Sequence, residues 1–531
     1  MELFVRFLLI TVKFVALLLH PLQYLMRIWT SCQLKENKLP AISNRLLTYS
    51  LQELRSRLRA RQLTSVELVS VYIERIKVVN PKLNAIVEDR FEEALREAAD
   101  VDKLIAAAGD VKSLFKNQPL LGLPVTVKES CALGGMSFAV GSLARHQLRA
   151  DEDGVVVARM RKAGAIPLLV SATPEYCYSI DADTLINGRC SNPFDFGCTP
   201  GGSSSGEGAL NGAGASLFGI GSDIAGSIRI PSLFCGVFGH KPTGGVVTMA
   251  GHFPHSNGAD FHKYLVLGPI TRFATDLNQL LEIMAGENAE QLRLHEPVEL
   301  SQLKVYYALG FPGLNGHMHQ SVDGAIQNAI LRAVTHLDKL GLQVQQAKLP
   351  GFKNSLEISL GGIARLRNMQ FIVEGKEKGM VWELFGQLLR TLCGNSRYTT
   401  NAIIFDLMRR TNAFMPAQRL DTYGREGKAL VEELTQLLGE NGVILFPTMH
   451  APAPRHGWTS LQLWGVDYTL IFNVLGFPVT HVPMGINEHG LPIGFSVIAA
   501  PFQDRLCLRM AIELERAFGG WLPPTPHDFS K

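Results

Sequence analysis

Fifteen of the chain's 50 glycines fall between Gly197 and Gly251. Glycine carries no Cβ, so a cluster this dense marks a stretch whose backbone, rather than its side chains, approaches something closely. It is organised around two segments, Thr199-Pro200-Gly201-Gly202-Ser203-Ser204-Ser205-Gly206-Glu207-Gly208 and Gly219-Ile220-Gly221-Ser222-Asp223-Ile224-Ala225-Gly226-Ser227-Ile228-Arg229. Neither carries the Gly-Lys-Ser/Thr of a phosphate-binding loop or completes GxGxxG, so phosphate cradling is disfavoured. Gly202 to Gly206 does match G-x-S-x-G, with Ser204 in the nucleophile position. That elbow requires an apolar strand directly before it, and Phe194-Asp195-Phe196-Gly197-Cys198-Thr199-Pro200-Gly201 cannot form one.

On either side of the glycine cluster, short apolar runs at Val125 to Val127, Ile166 to Val170, Val443 to Phe446 and Phe495 to Ala499 stand between Gly and Pro. They predict buried strands. Thr64 with Glu67 predicts a capped helix carrying Val66, Val69, Tyr72, Ile73 and Ile76 and stopping at Asn80-Pro81, and a second helix is predicted over Arg90 to Ala108. Interleaved in this way, the elements give an α/β chain with a mostly buried sheet. With 46% hydrophobic and 19% charged residues the chain has the apolar content to fold compactly. No linker or repeat divides it, so one domain is expected over residues 36–531. A net charge of +3 gives no basic field for nucleic acid. CxxC and HExxH are both absent, and His252, His255 and His262 sit among Gly, Pro and Asn as an ordinary polar loop would. No metal or cofactor is expected.

Residues 1–35 form a distinct N-terminal part. Phe7 to Leu19 is nearly all apolar, and Arg6, Lys13, His20 and Arg27, spaced by seven, fall on one stripe of a helix. This predicts an uncleaved membrane anchor, spanning or lying in the interface. Arg27, Lys35, Lys38 and Arg45 follow it while only Arg6 precedes it, which puts the body of the protein in the cytosol.

Taken together, the two Gly/Ser segments and the upstream Gly122-Leu123-Pro124-Val125-Thr126-Val127-Lys128 resemble the amidase signature family. The spacing supports the likeness, with Ser203 lying 75 residues after Lys128 and Ser227 lying 24 after Ser203. Phe446-Pro447-Thr448, Asn473, Gly476-Phe477-Pro478, Val482-Pro483-Met484-Gly485 and Gly490-Leu491-Pro492-Ile493-Gly494 extend it over roughly residues 45 to 520. The N-terminal segment, Gly239-His240-Lys241-Pro242 and Phe518-Gly519-Gly520-Trp521 bring it closest to members that cleave fatty-acid amides.

The resemblance implies a mixed central β-sheet flanked by helices, and Lys128 as base, Ser203 as proton shuttle and Ser227 as nucleophile. The chemistry suits these residues. A serine hydroxyl needs a base to take its proton as it attacks an amide, and lysine serves only when neutral, a form that burial on an interior strand favours. The successive backbone N–H groups of Ile224, Ala225, Gly226 and Ser227 are the implied oxyanion hole. Asp223 and Arg229 are expected to hold that loop rather than react, and a cis peptide is expected at Gly202-Ser203. The family usually carries Gly where Ser205 and Ala225 stand, and alanine would matter only if Ala225 had a positive φ.

By the same resemblance, Cys177 and Tyr178 line an acyl channel. A lipid-like amide is the expected substrate, with a membrane (endoplasmic reticulum or lipid droplet) and a second copy of the chain as partners. Met380 to Gly394 carries Val381, Leu384, Phe385, Leu388 and Leu392 on one helical face beside Trp382 and Leu389, which reads as core packing or as a membrane-docking cap. Two rival functions stay open at this point: hydrolysis of small polar amides, alone or as an amidotransferase subunit, and a catalytically impaired membrane-tethered binding protein.

Overall fold

The structure is a computed structural model that describes residues 38–530 apart from 257, 259, 313–320, 367–368, 374–377, 392, 412–414 and 460–464. The expected anchor and Leu392 lie outside the described residues. Among the described residues no helix is long and apolar enough to cross a membrane.

Each of the four apolar runs is a strand. In chain order the strands are β1 (Ile86–Asp89), β2 (Pro124–Lys128), β3 (Ile166–Ser171), β4 (Asp183–Thr184), β5 (Gly188–Arg189), β6 (Phe218–Asp223), β7 (Phe238–Lys241), β8 (Val266–Thr271), β9 (Lys304–Tyr307), β10 (Gln343–Gln346), β11 (Gly442–Pro447), β12 (Val479–Ile486) and β13 (Pro492–Ala499). β4 and β5 form a separate pair, and the other eleven make one sheet in the order β1-β3-β2-β6-β8-β7-β12-β13-β11-β9-β10. Pairing is parallel between β3, β2 and β6 and antiparallel from β6 across to β11, so the single large α/β domain has a mixed sheet. Every residue of β2, β3, β6, β7, β8, β11 and β13 is buried, as expected of strands covered on both faces.

One feature of this topology sets up the chemistry. β2 and β6 are parallel neighbours with Thr126 opposite Gly219 and Val127 opposite Ile220, so Lys128 and Ser222 emerge side by side at the same sheet end. The glycine cluster finds its explanation at this end as well. The helix Ser205–Gly212, which begins just after Ser203, packs on the helix Arg229–Cys235, which begins just after Ser227, and all residues of both are buried. A Cβ at Gly208 would lie 2.8 Å from the Pro231 ring and 3.1 Å from its carbonyl, so the close crossing requires glycine.

The helix boundaries depart from expectation in one place. Thr64 caps Ser65–Leu83, accepting the Glu67 N–H at 3.1 Å, but the helix continues past Asn80 and carries Pro81 in its last turn. Proline there removes one hydrogen bond only, and Asn84 closes the end in the left-handed region (φ 49°), donating to Asn80 O at 2.7 Å. The second helix covers Phe91–Ala107, as predicted to within a residue at each end.

Candidate active site

Lys128 ends β2 wholly buried, and its amine reaches Ser203 Oγ at 2.7 Å and Ser222 Oγ at 2.9 Å. The Gly202-Ser203 peptide is cis, as expected. Ser227 is 9% exposed and opens on the same cavity as Ser203. The two loops are tied by Ser204 N–H donating to Ser227 O at 3.2 Å, while no hydrogen bond joins the Ser203 and Ser227 hydroxyls among the described contacts. Lys128 and Ser203 are therefore in direct contact, and the Ser227 side chain shares a cavity with Ser203. Ser204 points elsewhere. Its hydroxyl is fully buried against the backbone of Ser222, 3.4 Å from both O and N, and it does not line the cavity.

The loop before Ser227 is held by charge. Arg229 grips Asp223 through Nε at 3.0 Å and Nη2 at 2.9 Å, with both side chains fully buried. Burial alone would raise the Asp223 carboxyl, but the Arg229 guanidinium overrides it and holds the group well below the usual carboxylate range. Asn473 donates to Asp223 O and Oδ1, each at 3.0 Å, and Arg229 Nη1 donates to Thr469 O at 3.0 Å. Asp223 Oδ1 also accepts the Gly226 N–H at 2.7 Å. That donor is occupied in this geometry, so of the four expected oxyanion donors, Ile224, Ala225 and Ser227 are without a protein partner among the described contacts. Gly226 has φ 114°, and a Cβ on it would meet Thr469 Oγ1 at 2.4 Å; glycine is required there. Ala225 is not among the described residues with positive φ, so its methyl group causes no backbone strain. Its carbonyl accepts the Thr469 hydroxyl at 2.7 Å. The other departure, Ser205, places its hydroxyl in the core without a protein partner and away from the cavity.

The polar-loop reading of the histidines holds for the exposed His255; His262 is exposed too but stands on the short helix Phe261–Tyr264, and the reading fails for His252. His252 is 5% exposed and lines the cavity, with Nε2 2.9 Å from Ser222 Oγ and 3.1 Å from Ser130 Oγ, and Nδ1 3.0 Å from Pro254 O. Burial, and next the charge of Lys128, pushes its imidazole down to about 3, so the ring is neutral at working pH. Local composition conceals this because the partners come from far along the chain, Ser130 being 122 residues away and Ser222 30.

From this centre a cavity of about 210 Å³ runs between walls that are mainly apolar. Cys177 and Tyr178 are both on its wall, as the resemblance implies. The Tyr178 hydroxyl donates to Gln370 O at 2.7 Å, and its ring packs 4.5 Å from that of Phe405. Phe405, Ile404 and Met408 belong to the helix Thr400–Arg410 and line the cavity too. Against that helix packs Lys378–Thr391. Leu384 of this second helix is buried, but Trp382, Phe385 and Leu389 are 75%, 46% and 67% exposed, with the first two rings 6.0 Å apart. Core packing thus accounts for one face of this helix, and the other is an uncovered apolar face.

The amidase family profile matches residues 67–508. Fatty-acid amide hydrolase 2-A of Danio rerio is 40% identical over 499 residues, covering 92% of each chain. Fatty-acid amide hydrolase 2 of Homo sapiens is 37% identical over 494 residues, covering 91% of each. Among solved structures, one titled fatty acid amide hydrolase superposes with a TM-score of 0.70 over 90% of this chain and 86% of that one; at 20% identity this is a likeness of fold.

Proposed function

The chain belongs to the amidase signature family and is an amide hydrolase, and from that premise we propose that it is a membrane-associated serine hydrolase cleaving fatty-acid amides to free fatty acid and amine. The observation that carries this reading is the buried Lys128–Ser203 contact at 2.7 Å, with Ser203 and Ser227 both lining a mainly apolar cavity.

On this reading neutral Lys128 takes the Ser203 proton while Ser203 takes that of Ser227, whose oxygen attacks the amide carbon. The N–H groups of Ile224, Ala225 and Ser227 stabilise the oxyanion. The proton returns through Ser203 to the leaving nitrogen, the C–N bond breaks, and water then releases the acid from Ser227 by the same relay. The apolar wall formed by Tyr178, Leu360, Phe405 and Met408 suits an acyl chain rather than a small polar amide.

An alkyl fluorophosphonate reports the activated serine directly. Labelling of the wild type, loss of labelling in Ser227→Ala, and release of fatty acid from a long-chain acyl amide are the expected results. An unlabelled wild type would favour the impaired binding protein.

Membrane association is assigned to residues 1–35, and next to the exposed face of Trp382, Phe385 and Leu389, on the helix packed against Thr400–Arg410. In flotation with phosphatidylcholine vesicles, removing residues 1–35 should weaken binding, and replacing the three apolar residues by serine as well should abolish it. If the truncated chain alone no longer floats, the docking face is wrong.

A further inference from the structure

The Lys128 amine has two hydroxyl neighbours, Ser203 at 2.7 Å and Ser222 at 2.9 Å. A neutral amine has two protons and one lone pair. To take the Ser203 proton it must aim the lone pair at Ser203 and can then give an N–H to Ser222. Ser222, however, has a hydroxyl proton of its own, and without another acceptor that proton turns to the same lone pair and blocks it.

His252 supplies the other acceptor. Pro254 O, 3.0 Å from Nδ1, has no proton to offer, so Nδ1 must carry the ring proton and Nε2 must be the acceptor. Nε2 lies 2.9 Å from Ser222 Oγ; Ser130 Oγ shares its lone pair at 3.1 Å. The ring is buried and neutral, so its polarity does not reverse at working pH.

We infer that His252 is a positioning residue, which by accepting the Ser222 hydroxyl proton makes Ser222 an acceptor for a Lys128 N–H and keeps the Lys128 lone pair directed at Ser203. This rests on the reading of Lys128 as the base. His252 touches no reacting atom and acts through Ser222 alone, which distinguishes it from a general base.

The test is a double-mutant cycle on the full chain in detergent micelles, with a long-chain acyl amide as substrate. His252→Phe should lower kcat roughly ten- to hundredfold with KM changed less than about twofold, the size expected when a reacting group is misaimed. His252→Gln, whose side-chain carbonyl can take the Ser222 proton, should recover most of that loss. In the Ser222→Ala background the competing hydroxyl is gone, and His252→Phe should cost less than about threefold more. Equal losses with and without Ser222, or no rescue by glutamine, would overturn the inference. The same cycle with His252→Ala serves if the phenylalanine chain does not fold. Lys128→Ala is measured alongside: retained turnover would overturn the base assignment and the inference together, whereas an inactive Lys128→Ala with additive His252 and Ser222 effects would overturn the inference alone.

Discussion

Lys128→Ala should lower amide hydrolysis by about 10⁴-fold, the upper end of what a positioned base contributes. Lys128 is fully buried and contacts Ser203 directly, so its deletion removes the amine that lies against that hydroxyl. The one other titratable nitrogen in the network, that of His252, is pushed down to about 3 and is too weak a base to substitute. Lys128→Met separates chemistry from packing, since it keeps most of the volume and should be equally inactive while folding more readily than the alanine variant. Ser227→Ala should match both, and Ser204→Ala should retain much more activity because its hydroxyl faces the Ser222 backbone and not the cavity. An active Ser227→Ala beside an inactive Ser204→Ala would sink the assignment.

What could be read from the sequence follows from which forces act locally. Apolar runs as short as Val125 to Val127 and Ile166 to Val170 state that a strand is buried, and they are β2 and β3. They carry no information on neighbours: β6 lies between β2, whose partners stand 93 residues earlier, and β8, whose partners stand 43 to 53 residues later, and β13 lies between β12 and β11. The same limit applies to the site. Lys128, Ser203 and Ser227 can be proposed together from the sequence because the spacing of the lysine from the two Gly/Ser segments is a property of the chain itself, and the structure adds that Lys128 touches Ser203. His252 cannot be, because its role is defined by Ser130, Ser222 and Pro254 around one ring. The helix Lys378–Thr391 shows another limit. Its apolar periodicity is the same whether the face meets the core or solvent, and only the fold reveals that Leu384 turns inward while Trp382 and Leu389 turn out. Likewise, successive N–H groups at Ile224 to Ser227 suggest four donors, yet the Asp223 carboxylate occupies that of Gly226.

Arg229→Leu should destabilise the protein by about 3–5 kcal/mol, the range for removing one partner of a buried ion pair. Asp223 and Arg229 are both fully buried, so the deleted guanidinium leaves a carboxylate without its counter-ion where solvent does not reach. Lys241 offsets only part of this, since burial, the leading influence in the wild type and one that the substitution leaves in place, disfavours its ammonium. The double variant Asp223→Asn with Arg229→Leu should therefore be more stable than Arg229→Leu alone. The loss also has a pH signature. In the wild type the folded Asp223 value is depressed, so its contribution is present above the unfolded value of about 3.9 and is lost only as pH falls below it. Without Arg229, burial is left as the leading influence and raises the group, so its contribution is present below about 3.9 and is lost as pH rises. The stability gap between variant and wild type should accordingly widen from pH 4 to pH 7, read as the difference in denaturant midpoint at unchanged slope. Because Asp223 also holds the N–H groups of Gly226 and Ile228, at 2.7 and 3.1 Å, the folded fraction of Arg229→Leu should lose roughly a hundredfold in kcat as the oxyanion donors drift. A gap that stays constant over this pH range would mean that Asp223 does not depend on Arg229 for its charge, and the account of how this loop is held would fail.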